Sequence, residues 1–221
     1  MKALIPFMLA LVFLIPASFS QVDKTQMSLD VSKKYEQNIG QLAQLTWKRK
    51  IEGYVDGKMV MSSLSSMTIG ADGKLNAVVI QKQSYVAPKR GLRGAVQKSV
   101  VSDVNEYVKN AIELVNKYIF LSHGQMIDLF NKGTLSILGK SLQAEGFNLL
   151  IQGDRINYKF DQSSLLYQSQ DISTIMNGDP VKAVVKYETI NGINRVNSVG
   201  IDLPGPNVKI KLANFEYAKK L

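Results

Sequence analysis

The sequence predicts an α+β fold, one antiparallel sheet with helices packed against one face. Three observations carry that expectation. The hydrophobic period switches from helical to alternating and back along the chain. The alternating runs are divided by two-residue turn signals of the Asp-Gly and Asn-Gly kind. The order helix, three strands, helices, then four to six strands suits packed layers better than alternating βαβ units. All three are read from the 221-residue sequence.

Taken in order, residues 30–46 place Val31, Tyr35, Ile39, Leu42 and Leu45 on one helical stripe, with Asp30 as the expected N-cap. WKRKIEGYV then alternates Trp47, Arg49, Ile51, Gly53 and Val55 against Lys48, Lys50, Glu52 and Tyr54. Asp56-Gly57 fits a hairpin turn in which both residues take positive φ. KMVMSSLSSMTI is the return strand and KLNAVVIQKQ, after Ala71-Asp72-Gly73, the third. One face of the first hairpin is expected to show Met59, Met61 and Met67. On the third strand Leu75, Ala77 and Val79 oppose Val78 and Ile80. Strands apolar on both faces want cover on both, which either ordinary packing or a bound ligand supplies.

Residues 87–94, APKRGLRG, read as a loop because of Pro88 and the glycines. From Ser102 a second helix shows Val104, Val108, Ile112, Val115 and Ile119, with Asp103 and Glu106 in its first turn and Lys117 in its last. Ser122 and Gln125 form a capping-box pair for a third helix. Its apolar face is Met126, Leu129 and Phe130, and Gly133 ends it. FNLLIQG, RINYKFD, SLLYQSQDIS, PVKAVVKYETI, INRVNSVGIDL and NVKIKLANFEY are the remaining strand candidates, with Asn191-Gly192 the strongest turn among them. No internal repeat divides the chain, so residues 21–221 are expected to form a single domain.

The opening MKALIPFMLALVFLIPASFSQ reads as a signal peptide: one cation at Lys2, an apolar run from Ala3 to Ile15, and small residues at Ser18 and Ser20. Cleavage is expected after Ser20, with export to the periplasm. No cysteine follows for lipid attachment. Cysteine is absent throughout, so stability must come from an apolar core, which about 200 residues can supply. Losing Lys2 takes the net charge from +9 to +8, that is 26 basic against 18 acidic residues. A basic exported protein suits contact with an anionic membrane surface. A merely soluble basic surface fits the same number.

Catalytic chemistry finds little support. His123 is the one histidine, and it is read as a surface loop residue. Neither a G-x-S-x-G elbow nor a thiolate-and-imidazole metal set occurs. No catalytic residue, metal or cofactor is expected, and the protein is read as a non-enzyme. Nucleic-acid binding is not expected, for want of a basic aromatic platform.

Trp47-Lys48-Arg49-Lys50-Ile51-Glu52, the strand pair after it, Asp72-Gly73-Lys74 and Pro88-Lys89-Arg90-Gly91-Leu92-Arg93-Gly94 resemble a family of exported bacterial proteins. Its members run from a "TWKxRxE" strand to a "PKRGLRG" loop, and the resemblance spans nearly the whole chain after the signal peptide. It implies kinship and no activity. The architecture is similar to the periplasmic lipoprotein carriers of the LolA and LolB type, which hold acyl chains in a half-open barrel closed by helices. That resemblance implies a curved, half-barrel sheet and a carrier of lipid or lipoprotein acyl chains; separately, the protein is expected to be a monomer. Trp47, Ile51, Met61, Ile112 and Phe130 would then line an apolar site. Lys89, Arg90 and Arg93, with Gly91 and Gly94, would bind an anionic headgroup through side-chain charge and backbone N–H groups. The other reading of that stretch is a strand-to-helix crossover whose arginines pair within the protein. The other reading of the whole is an envelope interaction or sensor module with a filled core and no ligand.

Overall fold

A computed structural model describes residues 23–71, 73–84 and 92–220, with residues 84 and 92–104 described by their backbone alone. Helix α1 (Lys24–Leu42) precedes strands β1 (Leu45–Val55), β2 (Lys58–Ile69) and β3 (Leu75–Ser84). Helices α2 (Leu92–Ile119) and α3 (His123–Lys132) follow. Seven further strands complete the chain: β4 (Thr134–Leu138), β5 (Ser141–Phe147), β6 (Arg155–Asp161), β7 (Tyr167–Met176), β8 (Asp179–Ile190), β9 (Ile193–Leu203) and β10 (Val208–Lys219). They form one antiparallel sheet in the order β3-β2-β1-β10-β9-β8-β7-β6-β5-β4. The sheet is open, with β3 and β4 as its edges. The fold is α+β, a curved sheet with helices on one face.

The β1–β10 pairing makes the sheet continuous, because it brings the last strand beside the first. Elsewhere each strand pairs with its chain neighbour through a short connection. Asp56 and Gly57, at φ 49° and 75°, and Asn191 and Gly192, at 53° and 78°, take the positive-φ pairs these hairpins require. Register shifts in β1, β2–β3, β6–β7 and β8–β9 add local twist and bend the sheet. One of them corrects the expected hairpin face. Gly53 pairs with Met61 and Tyr54 with Met59, so Val60 is the extra residue. Met61 and Met67 therefore face inward, whereas Met59 borders an outer-face groove.

The helices lie over β5–β9: α1 on β9 and α3, α2 on β7 and β8, α3 on β5. Beneath them Tyr118, Met126, Phe130, Tyr158, Phe160 and Ile172 form a core with almost no exposed surface. Burying a large apolar side chain of this kind is worth about 1.5–3 kcal/mol. A buried exchange pins α1 down: Asn38 Nδ2 donates to the Asn194 carbonyl at 2.7 Å, and Asn194 N donates to Asn38 Oδ1 at 2.8 Å.

Several expectations are corrected here. The N-cap of helix α1 lies seven residues before Asp30, at Asp23, which accepts from Thr25 N and Gln26 N at 3.0 and 3.1 Å. Leu45 opens β1 instead of ending the helix. Helix α2 begins at Leu92, well before Ser102, so Asp103 and Glu106 fall within it. Gly94 weakens a helix without ending it, at a cost of about 1 kcal/mol against Ala. The Ser122–Gln125 capping box is present as expected. FNLLIQG is not a strand. Phe147 closes β5, and Asp154 gathers the next segment by accepting from the N–H groups of Leu149, Leu150 and Ile151 at 2.7–3.0 Å. The strands β4 and β5 were not expected, and they bring the sheet to ten among the described residues.

Candidate functional site

The three helices do not cover the inner face of β1–β3 as they cover β5–β9. Between that end of the sheet and α2 lies an open cleft of about 540 Å³. The strand walls carry Ile51 from β1, Met61 and Met67 from β2, and Leu75, Ala77 and Val79 from β3. Helix α2 contributes Val108 and Ile112, with Asn105, Glu106, Lys109 and Glu113 at the rim. The alternation along the strands explains the apolar floor, since every second side chain of each strand turns inward. A cleft of several hundred Å³ with an apolar floor is a usual form of small-molecule site, and here polar residues, Ser63, Lys82, Asn110 and Asn116 among them, share the lining.

Of the residues expected to line an apolar site, the structure brings together Ile51, Met61 and Ile112 in this cleft. Trp47 lies next to it, on a second pocket of about 30 Å³ under α1. Phe130 is elsewhere. It is fully buried in the core, 5.6 Å from the Phe160 ring, and lines neither space. The reason is its helix, since α3 packs its apolar face onto β5, on the far side of the sheet. Lys89, Arg90 and Gly91 lie outside the described residues. The backbone of Arg93 and Gly94 belongs to the first turn of α2, so these two are helical and not part of a loop.

Sequence reasoning did not single out Arg49 as a site residue. It occupies the inner face of β1, 4% exposed, and borders both the cleft and the 30 Å³ pocket. Its Nε donates to Asn214 Oδ1 at 2.8 Å, and the same oxygen accepts from Trp47 Nε1 at 3.2 Å. Asn214 is held by donating to the Val196 carbonyl at 3.0 Å. The two terminal guanidinium nitrogens make no hydrogen bond among the described residues, and no carboxylate there pairs with Arg49. Nor are those nitrogens among the polar atoms sealed off without partners, so they reach the spaces they border. Burial pulls the Arg49 pKa down to about 10, opposed only by the Tyr217 phenol. A desolvated cation is costly when nothing compensates it.

Directly across from Arg49 on β2 sits Ser65, also buried, whose hydroxyl makes no hydrogen bond among the described residues. Tyr217 stacks on Trp47 at 5.4 Å and carries the Arg195 guanidinium 4.2 Å above its ring. Arg195 in turn bonds Glu188 Oε1 at 2.9 Å, so its charge is compensated where that of Arg49 is not. One signal for Arg49 is present in the sequence: an arginine on the apolar phase of an alternating strand.

His123 is the first residue of α3 and not a loop residue, and it has two partners on α1. Its Nδ1 is 2.5 Å from Ser32 Oγ and 3.0 Å from Glu36 Oε1. That is a contact between helices. Among the described residues no group of three or more His, Cys, Asp or Glu could hold a metal ion. No helix there is long and apolar enough to cross a membrane.

No protein-family model matches the chain, and no curated protein does. Ten chains of solved structures match it, and two of them serve as examples. A DUF1329 family protein from Desulfovibrio piger aligns over 90% of this chain and 94% of its own, at 11% identity and a TM-score of 0.46. A LolA superfamily protein from Nitrosomonas europaea aligns over 88% of this chain and 94% of its own, at 8% identity and a TM-score of 0.38.

Proposed function

We propose that this chain is a non-catalytic carrier or binding protein for a hydrophobic ligand bearing an acyl chain, exported to the periplasm and acting as one domain and a monomer. The cleft of about 540 Å³ between β1–β3 and α2 carries this reading. Removing apolar ligand surface from water there gains roughly 25 cal/mol per Å². Met61 and Met67 have flexible, polarizable side chains that adapt to chains of different shape. On the sheet's outer face an anionic membrane would meet Lys186 and Lys211, at a shallow groove of about 500 Å³ where Lys50 is paired with Glu52 at 2.7 Å.

Binding of the neutral apolar dye N-phenyl-1-naphthylamine tests the reading. Ala77, on the cleft wall, is replaced by Trp to fill the space. The unaltered protein is expected to enhance the dye's fluorescence saturably, and Ala77→Trp to lose at least about 90% of that signal with its melting temperature intact, as for a pocket whose volume is occupied. Unchanged dye binding in the variant would count against the cleft as the site.

A second reading, an interaction module, is favoured by β3. This edge strand exposes Val78, Val79 and Ile80 by more than half of their surface, and an unpaired edge is a template for a partner's strand. In that case Ala77→Trp leaves the function intact, and charges placed at Val78 and Ile80 abolish it.

A further inference from the structure

The cleft contains a charge that its apolar walls do not explain. A cation 4% exposed, with one side-chain hydrogen bond to a neutral group and no carboxylate partner among the described residues, sits at the boundary of a space large enough for a ligand. The fold does not need a charge there for packing. A methionine would fill the same length, and buried ion pairs replaced by apolar residues are often no less stable. The uncompensated guanidinium is accounted for if its counter-charge arrives with the ligand.

We propose that the ligand is a single-chain fatty acid whose carboxylate is held by Arg49 and the Ser65 hydroxyl, with its hydrocarbon chain lying along the cleft. This rests on the carrier reading above and names the ligand class for that site. Three observations converge on it. The Arg49 Nε is held by Asn214, which leaves the terminal nitrogens to face an acceptor. Ser65, opposite in register, adds a hydroxyl donor that no protein group uses among the described residues. Third is volume. If a methylene takes about the space of a water, ~30 Å³, then the cleft's 540 Å³ holds one chain of roughly eighteen carbons and not two.

Charge selects the carboxylate over a phosphate. One guanidinium neutralises one negative charge, and a phosphate monoester carries about −1.5 to −2 near neutral pH, leaving excess negative charge in a cleft that already carries Glu106 and Glu113 at its rim. Lys82 also borders the cleft, brought inward by the register shift between Leu64 and Ser65. It is exposed and already solvated, so an anion gains little by meeting it.

The test is displacement of N-phenyl-1-naphthylamine by palmitate, hexadecanol and hexadecyl phosphate, three ligands with one chain and three heads. Palmitate is expected to compete roughly ten- to a hundredfold more strongly than hexadecanol, the worth of a charge-assisted hydrogen-bonded pair. Arg49→Met is expected to keep the dye and lose the preference for the acid, whereas Lys82→Gln keeps both. Equal competition by acid and alcohol would overturn the Arg49 assignment while leaving the carrier reading intact. If the dye binds and none of the three displaces it, or if no dye binds, the carrier reading itself falls. Stronger competition by hexadecyl phosphate would overturn the carboxylate, and loss of the preference in Lys82→Gln would move the head to the rim. The acid-to-alcohol comparison uses the unaltered chain, so it decides the matter even if Arg49→Met does not fold.

Discussion

If Arg49 is kept for a ligand and not for the fold, removing its charge should stabilise the ligand-free protein. Burial holds its pKa at about 10, from an ordinary value above 12. At 1.36 kcal/mol per pH unit, that depression is a cost of roughly 3 kcal/mol on the charged form. The sign follows from the direction. A base whose folded pKa lies below its unfolded one is penalised while protonated, so the cost is fully present at neutral pH and is relieved only as the pH rises through about 10. Arg49→Met removes that cost and gives up the charge-assisted bond to Asn214, worth about 1.5–3 kcal/mol net. Asn214 Oδ1 keeps Trp47 Nε1 as a donor, so no buried acceptor is stranded. The balance is a gain of up to about 1.5 kcal/mol. For a chain of this size that raises the melting temperature by up to about 4 °C. The assay is calorimetry of the delipidated protein at neutral pH, with Arg49→Met beside the unaltered chain. A fall of similar size would show that the charge is compensated within the protein, and the reasoning that links Arg49 to a ligand would fail.

The remaining predictions concern the frame that holds the site. Asn38→Ala strands two buried backbone groups of Asn194 and frees α1 from β9, so urea unfolding should show a loss of about 2–4 kcal/mol. A loss below about 1 kcal/mol would mean that water replaces the pair. Gly192→Ala forces a side chain onto φ +78° at the β8–β9 turn and should cost about 1 kcal/mol. Gly124→Ala, in α3 with open space around it, should gain up to about 1 kcal/mol instead. Burial raises the phenols of Tyr158, Tyr167 and Tyr187 well above 10. Above pH 10 the unfolded chain therefore releases protons that the folded one retains, and stability falls as pH rises. Tyrosine ionisation followed by ultraviolet absorbance should coincide with loss of circular dichroism, and independent titration before unfolding would contradict it.

The elements that local chemistry determines were legible in the sequence. Asp56-Gly57, Asn191-Gly192 and the Ser122–Gln125 box each act over three or four residues, and each is where the residues place it. RINYKFD and INRVNSVGIDL match β6 and β9 to the residue. The misses have physical causes. The strands β4 and β5 carry serines, a glutamine and glycine in short runs, so their alternation is faint, whereas apolar FNLLIQG is a turn folded around Asp154. The face of Met59 was lost to a bulge, which one extra residue creates without a composition signal. The period places Ile51, Met61 and Ile112 on apolar faces, and the structure has them on the cleft walls. Arg49 was not legible in this way, because its meaning lies in partners that it lacks. Its side-chain hydrogen bond to Asn214 spans 165 positions, and the absence of a carboxylate partner among the described residues is a three-dimensional fact. Phe130 has the same periodic signature as a cleft residue, and only the packing of α3 on β5 tells them apart.

The central claim is that the cleft holds a single-chain acid. It is tested most directly by native mass spectrometry of the protein purified from periplasm without detergent, with lipid extraction of the same sample. The account predicts one reproducible mass increment per chain that resolves on extraction into free fatty acids, and its loss in Ala77→Trp. An unliganded mass that stays unchanged after incubation with palmitate would contradict it.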